Sequence, residues 1–334
     1  MCTLGEATES PMVLRGMKDH GMVAVRIHSI YGTIPDMSRR IELVRTLGNI
    51  EVFLDLRGPQ LRFHCDGSYK IKARSTFQVN FQPQKIWIDQ PILPQLRVGM
   101  PIILGNGTVS GEFTKVGNEN AVVKVTNTTV PSLQDNIDVH IVGVDLRHLP
   151  PLSERDKKVV QIGIEKHVQG FAPSFIRDFD QLNKTTEYVK EVRQKVMGAP
   201  PVTYLIKIED SIGVQNLPSI LTQGKQAGLK MIIMVARGDL FNELSPEDLP
   251  IVQQYIINLC HEQQIPVMIA TGIFTSMKEN EKPSRIEYQD LFQICAQNAD
   301  WILLSDEVAN GKHPVEVVAT INKTLQRFSA SFIK

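Results

Sequence analysis

Seven short, nearly unbroken apolar runs recur along this chain, and most of them stop at polar or charged residues. They lie at 23–28 (VAVRIH), 52–56 (VFLDL), 170–174, 204–209 (YLIKIE), 231–236 (MIIMVA), 266–271 (PVMIAT) and 301–306 (WILLSD). A strand with one wet face alternates polar and apolar residues. A continuous run belongs to a strand covered on both faces, as in a parallel sheet lined by helices. Between the runs, the segments 36–47, 154–167, 179–196, 250–264 and 285–297 carry apolar residues at helical spacing. Pro250 suits a first helical position, where its missing N–H costs nothing. Ser153 with Asp156 reads as a capping box in which Asp replaces the usual Glu or Gln.

This alternation predicts an α/β fold with a parallel sheet. The short fragment at 1–4 supplies an eighth strand, and eight units close a (β/α)8 barrel, the TIM barrel; fewer leave an open sheet. The stretch 59–143 breaks the rhythm. Its runs are short and rich in Val, Thr, Ile, Gly and Asn, with turn signals at Asn106-Gly107 and Gly117-Asn118. A small all-β domain inserted after the third strand is expected, giving barrel segments 1–58 and 144–334 around an insert at 59–143. The length of 334 residues accommodates a barrel of roughly 250 residues plus such a domain.

Lys+Arg and Asp+Glu are both 36, so no basic excess marks a nucleic-acid binder. No apolar run reaches the ~20 residues of a membrane span. The start, MCTLGEATES, lacks the pattern of a secretory signal. Cys2, Cys65, Cys260 and Cys295 form no CxxC pair or zinc spacing, which suits free thiols in a reducing compartment. A soluble, cytoplasmic protein is expected.

In a parallel barrel the working residues sit where strands end. Here those ends carry Arg26 and His28, Asp55, Ser174 with Arg177 nearby, Lys207 and Glu209, Arg237-Gly238-Asp239, Thr271, and Ser305-Asp306-Glu307. Lys207 and Glu209 lie two apart on one strand and share a face. Glu209 and Asp239 are hard oxygen donors suited to Mg2+. Lys207 and Arg26 suit the charge of a transferred phosphoryl group. Plainer readings stand beside these. Lys-x-Glu can be an ion pair plugging the rim, Gly-Asp can simply open a loop, and Thr271 can satisfy a strand end.

In order and over nearly the whole chain, these segments resemble the pyruvate kinase family. CTLG at 2–5 is similar to C-T-I-G, and LDLRGPQLR to L-D-T-K-G-P-E-I-R. LRVGMPIILGNGTVS looks like the start of the family's inserted β module, and HLPPLSERD like its return to the barrel. IKIEDSIGV, MVARGDL, PVMIAT and LLSDEVANGKHPVEVV complete the series. The resemblance implies phosphoryl transfer from phosphoenolpyruvate to ADP, giving pyruvate and ATP, the final step of glycolysis. It implies Mg2+ (or Mn2+) on Glu209 and Asp239, with Lys207 stabilising the moving phosphoryl group and the enolate. Arg26 grips the phosphate. Gly238 and Asp239, through backbone N–H groups, hold the substrate carboxylate together with Thr271. Thr271 and Ser305 lie near the proton's path. His28, Arg62 and Arg155 fall at nucleotide contacts, Arg155 in place of a lysine. A homo-oligomer is a further implication.

The family's K+ site keeps Asp55 as its charged ligand, but His28, Ile30 and Leu56 replace an Asn, a Ser and a Thr there, and Gln60 replaces a Glu tied to potassium dependence. A protonated His28 would stand in for the ion's charge; a neutral one packs as an inert ring. Phe241 and Gly272 replace a Gly and a Gln, and Asn106 an Asp. Asp306, for Gly, adds a carboxylate expected to weaken binding of an anionic substrate. The family's C-terminal domain, with its effector site, has no counterpart in the sequence, so activation by a sugar bisphosphate is not expected. Three readings follow: an active phosphotransferase of ordinary or reduced rate, a catalytically impaired paralogue that binds a ligand or partner, and a metal-dependent lyase of pyruvate-type substrates, against which the β insert and IKIE argue.

Overall fold

A computed structural model describes residues 1–29, 32–105 and 107–332. Ile30 and Asn106, two of the departures above, lie outside the described residues. The chain forms two compact units, Met1–Gly58 with Pro150–Lys334, and Pro59–Leu149.

The first unit is an eight-stranded parallel barrel. In chain order it begins with β1 (Cys2–Leu4), α1 (Pro11–Asp19), β2 (Ala24–His28), α2 (Ile34–Arg45) and β3 (Glu51–Leu56). The second unit then carries β4 (Leu61–Cys65), β5 (Ser68–Lys70), β6 (Thr76–Asn80), β7 (Ile86–Ile88), β8 (Pro101–Leu104), β9 (Val109–Val116), β10 (Asn120–Thr128), β11 (Ser132–Gln134) and β12 (Ile137–Ile141). The barrel resumes with α3 (Glu154–Glu165), β13 (Gly170–Pro173), α4 (Phe179–Gln194), β14 (Thr203–Ile208), α5 (Ser211–Gln226), β15 (Met231–Ala236) and α6 (Arg237–Glu243). It ends with α7 (Leu249–Glu262), β16 (Val267–Ala270), α8 (Arg285–Ala296), β17 (Trp301–Leu303), α9 (Asp306–Ala309) and α10 (Pro314–Phe332).

Strand order is β1-β2-β3-β13-β14-β15-β16-β17. The short first strand joins the last: Cys2 bridges Leu304 in parallel, Thr3 N donates to Leu304 O at 2.8 Å, and Leu304 N donates to Met1 O at 3.0 Å. Helix starts follow local chemistry. Ser153 and Asp156 close a reciprocal capping box on α3, as do Thr33 and Asp36 on α2 and Ser284 and Glu287 on α8. Pro250 occupies the first turn of α7.

Alternation along each strand sorts the side chains into two layers. One apolar layer lies between strands and helices and includes Ile27, Leu54, Ile206, Ile208 and Val235. The other fills the barrel interior with Ala24, Phe53, Ala172, Leu205, Ile232, Met234, Met268 and Leu303. Continuing two residues along the interior face leads from Ala24 to Arg26 and His28, from Phe53 to Asp55, and from Leu205 to Lys207 and Glu209. The inside of the barrel is thus a packed apolar floor that turns charged at the strands' C-terminal ends.

In the second unit, seven strands close a small barrel in the order β10-β6-β7-β4-β12-β8-β9, with β5 and β11 paired separately. Phe63, Phe113, Val79 and Ile88 centre its core. Val144 and Leu146 are buried in that same core, so the unit runs to Leu149 rather than ending at 143.

Candidate active site

Asp55 is the hub of the charged rim. It is fully buried near the end of β3, directly across from His28 on β2 in the strand register. Lys207 Nζ donates to both its oxygens, at 3.1 and 3.2 Å, and Arg26 NH1 donates to Oδ2 at 3.3 Å. Arg26 Nε is in turn fixed by Thr3 Oγ1 at 3.1 Å, which uses the short first strand to orient the guanidinium. Burial opposes the charge on Asp55. The cations around it, with the His28 ring when that takes a proton, outweigh burial and hold the carboxyl below its usual range.

Lys207 also contacts Glu209 Oε1 at 3.2 Å, so its ammonium bridges the carboxylate on β3 and the one just past β14, across the intervening β13. Burial works against the Lys207 charge, and Asp55 and Glu209 overcome it, raising the pKa. Glu209 Oε2 accepts from the Phe175 N–H, at a residue held at φ +52°. Burial pushes the Glu209 pKa up; Lys207 pulls it down, and Asp239 pushes it up again. The lysine therefore stays charged, and Glu209 is the group whose negative charge is under-compensated.

Asp239 is half-buried in the first turn of α6, and its charge is felt at both Glu209 and Lys207. Among the described residues, no group of three or more His, Cys, Asp and Glu gathers as a metal cage. The charge of Asp239 reaches Glu209 and raises its pKa, and as hard oxygen donors the two carboxylates would suit a divalent cation that completes its shell with water and ligand oxygens. The residues around Asp55 do not fit a monovalent cation. Lys207 donates to both Asp55 oxygens and Arg26 to Oδ2, so two protein cations already meet its charge, and the Leu56 carbonyl accepts the Ser174 hydroxyl at 2.5 Å. The His28 ring lies 3.9 Å from Asp55 Oδ1. Burial drives its pKa down to about 3 despite the pull of Asp55, with Arg26 and Lys207 pushing the same way. The ring is neutral at pH 7 and supplies no substitute charge.

Thr271 follows β16 at φ +74°, a conformation that a β-branched residue adopts at a cost of about 1–3 kcal/mol. Gly238 lies against it: a Cβ there would come 3.3 Å from Thr271 Cγ2. Ser305 precedes α9. Its N–H donates to Glu307 Oε1 at 2.7 Å, and among the described residues its buried Oγ has no hydrogen-bond partner. Glu307 is buried beside it, and burial raises its pKa to about 7.

The rim thus brings together Arg26, His28, Asp55, Lys207 and Glu209, with the charge of Asp239 reaching Lys207 and Glu209 and with Thr271 against Gly238. Arg155 is placed differently from a free cation. Its guanidinium donates to the carbonyls of Ser29, at 3.2 and 2.8 Å, and Gly32, at 2.6 Å, tying α3 to the loop after β2. Arg62 belongs to the second unit, where it donates to Gln60 Oε1 at 2.6 Å. Asp306 does not present a bare carboxylate. Lys278 pairs with it and Asn310 donates to it, and against burial they hold it below the usual range. The expected penalty on an anionic ligand is therefore largely offset. Lys278, Asp290 and the Phe175 N–H carried no signal in the sequence, since each acts through a contact made only on folding.

A family model described as pyruvate kinase, barrel domain, matches residues 1–318. The chain belongs to the pyruvate kinase family. Curated relatives named pyruvate kinase include one from Bacillus licheniformis, 32% identical over 98% of this chain and 56% of its own length. Another, from Thermoplasma acidophilum, is 31% identical over 97% of this chain and 56% of its own length. The chain spans about half the length of the curated pyruvate kinases it matches. A crystal structure of a pyruvate kinase from Cryptosporidium parvum shares the fold, with a TM-score of 0.87 at 24% identity, covering 98% of this chain and 68% of that one. No helix among the described residues is long and apolar enough to cross a membrane.

Proposed function

We propose that this pyruvate kinase-family chain transfers a phosphoryl group from phosphoenolpyruvate to ADP. The observation that carries the reading is Lys207, buried between Asp55 and Glu209 at 3.1–3.2 Å, with Asp239 coupled to the same group. An ammonium fixed by two carboxylates is preorganised for negative charge that develops during reaction, and it needs no rearrangement to meet it. Arg26, oriented by Thr3 and Asp55, offers its remaining donors to the phosphate. Glu209 and Asp239 would hold Mg2+ or Mn2+, which would supply charge neutralisation at substrate and phosphoryl oxygens.

The bond between phosphorus and the enol oxygen breaks as a bond to an ADP phosphate oxygen forms. The enolate left behind is stabilised by Lys207 until carbon takes a proton and pyruvate results. Backbone N–H groups at Gly238 and Asp239, with Thr271, fix the substrate carboxylate. Thr271 and the unpartnered hydroxyl of Ser305 lie on the proton's route. Nucleotide contacts fall to His28 and Arg155, the latter by shaping the loop whose carbonyls it binds.

The test is a coupled assay with phosphoenolpyruvate, ADP and Mg2+. Turnover that Lys207→Met lowers by ~10²-fold or more supports the reading; no turnover above background at any KCl concentration rejects it. The misfit of the Asp55 surroundings to a monovalent ion favours a second reading, a paralogue that binds substrate without turning it over. Phosphoenolpyruvate would then raise the melting temperature while no pyruvate forms.

A further inference from the structure

Arg237 is the first residue of α6, and its guanidinium does not face solvent freely. Nε and NH2 both donate to the Thr271 carbonyl, at 2.9 and 2.6 Å. NH1 and NH2 donate to the two oxygens of Asp290 on α8, at 2.8 and 3.0 Å. One planar fork therefore grips a backbone carbonyl on one edge and a carboxylate on the other, a geometry that arginine makes and lysine does not.

The carbonyl it grips belongs to the peptide joining Thr271 to Gly272. Fixing that oxygen fixes the peptide plane, and with it ψ of Thr271 and φ of Gly272. Both residues are in the left-handed region, at φ +74° and +78°, and Phe274 follows at +55°. A turn in which these residues all sit at positive φ needs an external hold. Gly272 completes the arrangement: a Cβ there would stand 3.3 Å from Arg237 NH2, on the approach the guanidinium uses. A larger residue at 272 would crowd that approach.

We propose that Arg237, seated by Asp290, is a positioning residue that clamps the Thr271–Gly272 peptide and so sets where Thr271 stands beside Gly238 and Asp239. The clamp ties the C-terminal ends of β15 and β16 into one rigid edge of the rim. Its consequence for chemistry rests on the phosphotransfer reading above; its existence does not.

The test uses the full chain with Arg237→Lys, which keeps the charge but loses the fork, and Asp290→Asn, which keeps the shape but loses the charge. Asp290 is partly exposed on a helix, so the second variant has little reason to misfold. Hydrogen exchange of amides at 272–274 reads the clamp directly. Each variant is expected to speed it by ~10-fold, because charge-assisted bonds to the carbonyl are lost or loosened. The double variant is expected to be no worse than Arg237→Lys alone, since both act through one contact. In the coupled assay both variants lower kcat more than they raise the KM for ADP. Unchanged exchange in Arg237→Lys, or effects that simply add in the double variant, overturns the proposal. If the wild-type chain forms no pyruvate, the exchange result still decides the clamp, and the phosphotransfer reading alone falls.

Discussion

Replacing His28 by Asn should flatten the acid side of the stability curve by an amount set almost entirely by the unfolded chain. In the folded protein, burial holds the His28 pKa at about 3, while an exposed histidine titrates near 6.5. Between these values the unfolded chain binds a proton that the folded one refuses, so stability rises with pH and is lost as pH falls below 6.5. At pH 5.5 the loss from this residue is ~1.4 kcal/mol, and at pH 5.0 ~2 kcal/mol. These figures hold for any folded value well below 5, because the folded ring is then neutral at both pH values. Other titrating groups contribute too, but they cancel when the variant's loss between pH 7.5 and 5.5 is subtracted from that of the wild type. Urea unfolding of wild type and His28→Asn at both pH values gives the four free energies. The variant should lose ~1.4 kcal/mol less than the wild type, which for urea slopes of ~1–3 kcal/mol/M moves the midpoint by roughly 0.5–1.4 M. If both proteins lose the same stability, His28 is charged when folded. Asp55, 3.9 Å away, would then have overcome burial, and the argument for a neutral ring would fail.

Asp55→Asn should destabilise the barrel by ~3 kcal/mol in the same measurement at pH 7.5, the low end for breaking a buried ion pair, because Lys207 keeps Glu209 as a partner; a loss under ~1 kcal/mol would mean that Arg26 and Lys207 are not held by it. Turnover should be equal in KCl and tetramethylammonium chloride at matched ionic strength, since two protein cations already meet the charge of Asp55; a clear potassium requirement refutes the misfit. Lys278→Met should raise the KM for phosphoenolpyruvate on the order of threefold by exposing the charge of Asp306, a modest effect because both groups are partly exposed; Asp306→Gly in the same background should restore it.

The barrel was legible because its physics is local and repeated. Met231–Ala236 is apolar throughout and is found as a strand over those same residues. The segments at 154–167 and 179–196 are helices that stop two residues earlier than the pattern suggests. Other helices gave weaker signals. α5 contains Pro218, and Gly213 and Gly224 interrupt its apolar stripe, so tertiary packing had to override a poor local propensity. α1 packs against α10, which supplies the cover that its short sequence does not advertise. The end of the insert at Leu149 was misplaced because Val144 and Leu146 read equally well as a returning barrel segment; only their burial among the residues of the small barrel decides it.

The rim divides along the same line. Arg26, Asp55, Lys207 and Glu209 could be named from sequence because each continues an inward strand face by two residues, a relation that alternation alone fixes. What a residue adds or removes there could not be judged one position at a time. Asp306 looks like an added negative charge until Lys278, twenty-eight residues earlier, is seen to meet it. Gly272 looks like the loss of a polar side chain until Arg237 is found occupying the approach that such a side chain would crowd. In both cases a cation from a neighbouring loop or strand end meets the altered position, so the charge and the backbone geometry of the rim are set by groups acting together rather than by single residues. Divergence at single positions is therefore weak evidence that this site has decayed. The substitutions at His28 and Leu56 lie at and beside Asp55 in the strand register, and they bear on the monovalent ion rather than on the pair of carboxylates facing Lys207.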